Sequence, residues 1–242
     1  MALSNKVILK EIENGDIVID PFNPKDLCTS SYDVRLGEWF YREQRTPLLG
    51  RGDNNHSTRS FYNPYNKNDV DHVWGKPQKA TTLRKALKEY DFHFSKNLKF
   101  WDINNENISL NDLVILINPG ETLLAHTQEF IGGKKHITTS MQARSSQGRN
   151  FIGVCKCAGW GDVGYINRWT MEITNFSQYH VIPLVVGRRY AQIVFMETGP
   201  ILANDYGAGG KYQTGSDIEN IKHVWKPSMM LPKLHIDRDT KK

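Results

Sequence analysis

From Leu113 onward, apolar and polar residues alternate in short runs, and turn residues break the pattern about every 8 to 12 positions. The runs LVILI (113–117), ETLLAHTQEFI (121–131), HITTSMQAR (136–144), RWTMEITNF (168–176), IPLVVG (182–187) and RYAQIVFMET (189–198) each predict a strand. Asn118-Pro119-Gly120 supplies a turn between the first two. Upstream, IVID (17–20) predicts a strand leading into the turn cluster PFNP. SYDVRLGEWFYRE (31–43) predicts another, with Val34, Leu36 and Trp39 in phase and Gly37 as a bend. Only Ser4 to Gly15 reads as a helix at this end, with Ser4 as cap, Val7, Ile8 and Ile12 as the apolar face and Gly15 as the stop. Strands do not alternate with helices as a parallel sheet requires, which argues against a Rossmann-like domain. The pattern predicts a mainly β chain with a few short helices, built as an antiparallel sandwich, barrel or jelly roll.

Two segments depart from this pattern. Residues 46–106 are dominated by Asn, Asp, Lys, Arg, His and Tyr, with one helix-like piece, TTLRKALKEY (81–90). A polar stretch of that length predicts an insertion at the periphery of the domain. Its RGD tripeptide, Arg51 to Asp53, reads as chance. Residues 204–242 form a second departure: a Gly-rich piece around YGAGGKYQTG, mobile by composition, then a tail without periodicity.

At 242 residues the chain accommodates one large β domain, and 39% apolar content is enough for its core. The net charge of +5 and pI near 9.0 suit an anionic ligand. The basic residues are dispersed, which favours a nucleotide over a nucleic-acid duplex as partner. Three cysteines, an odd number, argue against a disulfide framework. Cys155 and Cys157 have no second pair at metal-ligand spacing. With no apolar leader, and no run approaching the roughly 18 apolar residues of a membrane span, a cytoplasmic protein with no membrane partner is expected.

The candidate chemistry is concentrated between Gln142 and Asn175. Arg144-Ser145-Ser146-Gln147-Gly148-Arg149 follows a strand and offers two forked guanidiniums and two hydroxyls to phosphate oxygens, although it is not a Walker loop. Asp162 lies in a Gly-rich turn. Glu172 lies on a strand whose Trp169, Met171 and Ile173 point one way and Thr170, Glu172 and Thr174 the other. Spacing alone leaves Glu172 open between a surface strand charge and a general base beside Arg149. No histidine is followed two residues later by glutamate and no C-x-x-C occurs, so the zinc nucleobase deaminase signature is absent.

Together these residues resemble the dCTP deaminase family of the trimeric dUTPase superfamily. SYDVRLGEWF resembles the family's DVRLGxxF strand, and PGETLLAHTQE its PGExxLAxTxE segment. RSSQGR resembles RSSxxR, AGWGDVGYINRWTMEITN resembles AGxxDPGFxGxxTLExxN, and GRRYAQIVF resembles GMxIAQLxF. The likeness spans about residues 5–45 and 115–215 of the single domain.

The resemblance implies a dUTPase-like distorted β-barrel or jelly roll, assembled as a homotrimer with sites between subunits. The implied reaction is hydrolysis of dCTP to dUTP and ammonia without zinc, with Mg2+ held through the triphosphate. Glu172 would be the general base, and Arg149 and Ser145 would orient it and its water. The backbone at Ala158 would read the base, Asp162 the 3'-hydroxyl and Tyr165 the deoxyribose. Arg144, Ser146, Lys211 and Gln213 would hold phosphates, with Tyr206 beside them and the tail closing as a lid. Ala158-Gly159 resembles members that continue to dUMP and diphosphate. Val163, Gly161, Asn167-Arg168 and the KYQTG ending depart from the family pattern and bear on the lid and on substrate preference. Two alternatives remain: a dUTP diphosphatase without deaminase activity, and a catalytically silent nucleotide sensor.

Overall fold

The longest apolar run is also the spine of the fold. β6 (Thr122–Gly133) is buried along almost its whole length, so it must be covered on both faces. One edge pairs with β10 (Ile166–Asn175), and the other with β1 (Ile17–Asp20) and β2 (Tyr32–Arg42), all antiparallel. β2 continues to β12 (Arg189–Glu197), which pairs with β7 (Ile137–Ala143). β8 (Ile152–Gly153) and β9 (Trp160–Gly161) are the two ends of this nine-stranded sheet, which curls into a half-barrel. The computed structural model describes residues 1–44, 61–89, 107–202, 205–213 and 215–240.

Every strand expected from periodicity is present, and the mainly β class with a few short helices holds. Alternation places Tyr32, Val34, Leu36, Met171, Ile173, Ile193 and Phe195 in one core with no measurable exposure. Gly37 marks a shift in register between β2 and β6. A Cβ there would lie 2.0 Å from Cε1 of His126. No side chain fits, so the bend and the buried imidazole require each other. His126 accepts from the N–H of Trp39 at 3.2 Å and faces the Thr127 carbonyl at 2.7 Å. Burial lowers its pKa to about 4, so it is neutral.

The N-terminal helix, α1 (Asn5–Glu13), differs in detail from expectation. Ser4 makes no side-chain cap bond, Val7 is exposed and Ile8 alone is fully buried, because one face of this short helix meets the sheet. Gly15, at φ +75°, ends it as expected.

The described part of the polar block is stitched into both sheets. α2 (Lys67–Trp74) leads to β3 (Gln78–Lys79), which pairs with β2. β4 (Thr81–Thr82) pairs with β5 (Leu113–Ile117), which pairs with β11 (Ile182–Val185). α3 (Leu83–Glu89) buries Leu83 and Ala86 against Val114, Leu116 and Val185. The RGD tripeptide lies outside the described residues.

The tail also packs. Asp217 caps α5 (Ile218–Val224) by accepting from the N–H of Asn220 at 2.9 Å. Ile221 packs on Phe130 and Ile166, and Met230 on Tyr41 and Leu124. No helix among the described residues is long and apolar enough to cross a membrane.

Candidate functional site

A cavity of about 730 Å3 opens on the polar face of β10, lined by Glu172, Thr170, Ala158, Asp162, Tyr165 and Tyr206. The strand alternates as expected, but its polar face is covered rather than solvated: Glu172 and Thr170 are half-buried and Thr174 is buried. The surface-charge reading of Glu172 therefore fails. Its Oε2 is buried without a hydrogen-bond partner. Burial raises the carboxyl from 4.5 to about 7, and the Lys156 ammonium only partly opposes this. A carboxyl poised near neutrality in a cleft is what general-base chemistry needs.

The turn from Cys155 to Ala158 forms one wall. Lys156 and Cys157 take φ +40° and +66°, rare for residues with a side chain. The turn is closed by the N–H of Ala158 donating to the Cys155 carbonyl at 2.6 Å. With that N–H committed, the Ala158 backbone can offer a ligand only its carbonyl. Tyr165 meets Trp169 and Tyr206 edge-on at 5.2 Å each, and burial pushes its phenol well above the ordinary value. Asp162, Trp160 and Tyr206 are shared with a neighbouring cleft of about 830 Å3, which also holds Lys211.

Other expected residues lie elsewhere. Within one chain Arg144, Ser145, Ser146 and Arg149 do not line the Glu172 cavity. Ser145, Ser146 and Arg149 are exposed on or beside the short α4 (Ser145–Gly148). Nε of Arg144 pairs with Asp33 at 3.0 Å, and its NH1 donates to the Arg189 carbonyl at 3.3 Å. Arg144 lines a separate cavity of about 500 Å3 with Arg35, Arg188 and Arg189. Adjacency in sequence thus does not put the anion cradle beside the acid.

Gln213 is buried and its amide is committed to the backbone. Its oxygen accepts from the N–H of Ile166 at 2.6 Å, and its nitrogen donates to the carbonyls of Gly164 and Gly215 at 2.8 Å each. It pins the tail to the loop before β10, which is where a phosphate role for it meets a physical obstacle. Lys211 is bound to Asp237 at 2.7 Å, so it reaches a phosphate only by sharing or leaving that partner.

The chain is similar to proteins of known family. A family model described as dCTP deaminase-like matches residues 81–198. A "dCTP deaminase, dUMP-forming" from Hydrogenobaculum sp. is 30% identical over 201 residues, 83% of this chain and 85% of that one. The chain belongs to the dCTP deaminase family. A second relative with the same description, from Methanosphaera stadtmanae, is 29% identical over 91% of this chain and 93% of its own. Among solved structures, a 2'-deoxycytidine 5'-triphosphate deaminase from Agrobacterium tumefaciens aligns at 15% identity with a TM-score of 0.47. That alignment covers 84% of this chain and 49% of the other, so the present chain spans about half its length.

Sequence reasoning missed several residues that line this cavity. Tyr62, Trp74 and Glu43 line the cavity from the N-terminal half, and Tyr212, Met230 and Pro232 from the tail. Nothing in the local pattern around Trp74 signals this, because the contact is made across the sheet. Glu129, by contrast, was legible as the last residue of PGETLLAHTQE. It is fully buried, accepts from the N–H of Arg35 at 2.9 Å and is raised by burial to about 7, away from the cavity.

Proposed function

We propose that this chain hydrolyses the exocyclic amine of dCTP and continues to dUMP and diphosphate. The observation that carries this is Glu172: a shielded carboxyl without a partner on Oε2, ionising near pH 7, in a cavity that also holds Asp162 and Tyr165. In its ionised form Glu172 takes a proton from a water as the oxygen attacks C4 of cytosine. It then delivers the proton to the departing amine, so dCTP and water give dUTP and ammonia. The Ala158 carbonyl accepts from the base edge, Asp162 from the 3'-hydroxyl, and Tyr165 packs on the sugar.

Arg149 and Ser145 are exposed and outside this cavity in one chain. In this reading they enter it from a second copy within a homotrimer and offset the charge that develops on the base. The triphosphate arrives as its Mg2+ complex. Continuation to dUMP is supported by the description shared by the relatives from Hydrogenobaculum and Methanosphaera.

The test is incubation with dCTP and Mg2+, with ammonium measured and nucleotides separated by chromatography. Release of ammonium with dUMP is the expected result. If dCTP persists while added dUTP is cleaved, the chain is a dUTP diphosphatase and the deaminase reading is wrong. If neither nucleotide reacts but both bind, it is a silent nucleotide sensor.

A further inference from the structure

The described part of the polar block reaches the Glu172 cavity, although its sequence carries no catalytic signature. We propose that this block is part of the catalytic pocket, with Trp74 and Tyr62 forming a wall that keeps bulk water, beyond the reacting one, from Glu172. The proposal deepens the deaminase reading and rests on it. Trp74 is the last residue of α2, and it lines the same cavity as Glu172. Its indole packs in a cluster with Tyr41, Leu124 and Met230. Leu124 is the cross-strand partner of Glu172, so the two side chains stand side by side on one face of the sheet. The indole therefore covers the residue next to the carboxylate.

This wall is mounted rigidly. The N–H of Gln44, just past β2, donates to the Val73 carbonyl at 2.7 Å, and the N–H of Gly75 closes α2 onto Asp71 at 2.9 Å. β3 locks the following residues onto Trp39 and Phe40, and the N–H of Ala80 donates to the Glu38 carbonyl at 2.8 Å. At its start, α2 is capped by Asn66, which accepts from the N–H of Asn68 at 2.8 Å. Val70, between these anchors, is 1% exposed.

The charged residues that line the cavity with Glu172 are Lys156 from the turn after β8, Glu43 just past β2 and Asp162 from the turn after β9. The phenols of Tyr62, Tyr165, Tyr206 and Tyr212 complete the titratable set. Lys156 is the sole cation among the described lining residues. Water exclusion, rather than a neighbouring anion, is thus the main force holding Glu172 protonated, and the Trp74 wall contributes to that exclusion.

The test compares dCTP deamination against pH for the wild type, W74F and W74A, with the titration of the Glu172 carboxyl followed by isotope-edited NMR. W74F keeps an apolar ring and should lose less activity, and shift the acid limb less, than W74A. W74A should lower kcat roughly tenfold by making the base weaker, and move the acid limb of kcat down by about one pH unit, with a smaller change in KM. A folded W74A that keeps the wild-type kcat and acid limb overturns the inference and leaves the deaminase reading standing. If W74A does not fold, Y62A, which opens the same wall at its other residue, carries the same readouts. If the wild type leaves dCTP intact, the deaminase reading fails instead. The carboxyl midpoint then decides the wall by itself: a midpoint equal in wild type and W74A or Y62A overturns it.

Discussion

Replacing Glu172 with glutamine separates the catalytic role of this residue from its structural cost. In the folded chain the carboxyl holds its proton up to about pH 7, whereas its ordinary value is 4.5. At roughly 1.4 kcal/mol per pH unit, this difference corresponds to about 3 kcal/mol. The sign follows from proton binding. Between the two values the folded chain binds more protons at this site than the unfolded one, so stability falls as pH rises. The loss begins near 4.5 and is complete above about 7.

E172Q has no such group. Relative to wild type it should therefore be equally stable in acid and more stable in mild base, by up to about 3 kcal/mol, or roughly 6–12 °C in Tm for a chain of this size. The buried carboxyl Glu129 is common to both proteins and cancels in the difference. In the same variant deamination should fall by about 100-fold or more, because the shape is kept and the base is lost. The assay is urea unfolding of both proteins at about pH 5 and about pH 8.5, with turnover measured in parallel. A stability difference that does not grow with pH would refute the burial argument. Near-normal turnover would refute the general-base assignment.

Three further perturbations test other parts of the account. R149A should lose activity by about 100-fold with unfolding unchanged, because the side chain is exposed. Mixing it with E172Q under conditions that exchange subunits should restore part of the turnover, and no recovery would argue against shared sites. G37A should cost about 1–3 kcal/mol in urea, since its Cβ would meet the His126 ring; an unchanged midpoint would show that the imidazole moves aside freely. Q213A leaves the buried N–H of Ile166 unpaired and should cost about 1–3 kcal/mol, with faster proteolysis of the tail. A raised KM for dCTP without loss of stability would return Gln213 to the phosphate site.

Much of the fold was readable in the sequence because its strands are half-buried and alternate cleanly. Met171 and Ile173 are inside because they are in phase on one strand, and no distant contact is needed to predict that. Gly37 was readable as a bend, but not the reason for it, which is an imidazole from a strand far away in the chain. The motifs singled out Glu172, Arg149 and Asp162, yet periodicity left Glu172 open between a solvent-facing charge and a general base. The ambiguity has a definite cause: whether the second face of a sheet is wet depends on what other segments cover it.

The sequence by itself determined the strands, their order along the chain, the family motifs and the identity of the one acid on β10, since these rest on local pattern and residue type. The tertiary structure alone decided what those residues can do. It brought Trp74 and Met230 to the cavity that Glu172 lines, and burial there raises the Glu172 carboxyl to about 7. Within one chain it also separated the RSSQGR arginines from the acid they precede in sequence, and bound Gln213 to backbone groups instead of leaving it free for a ligand. Ionisation and hydrogen-bond availability depend on burial and neighbours, and both are set by segments distant in the chain.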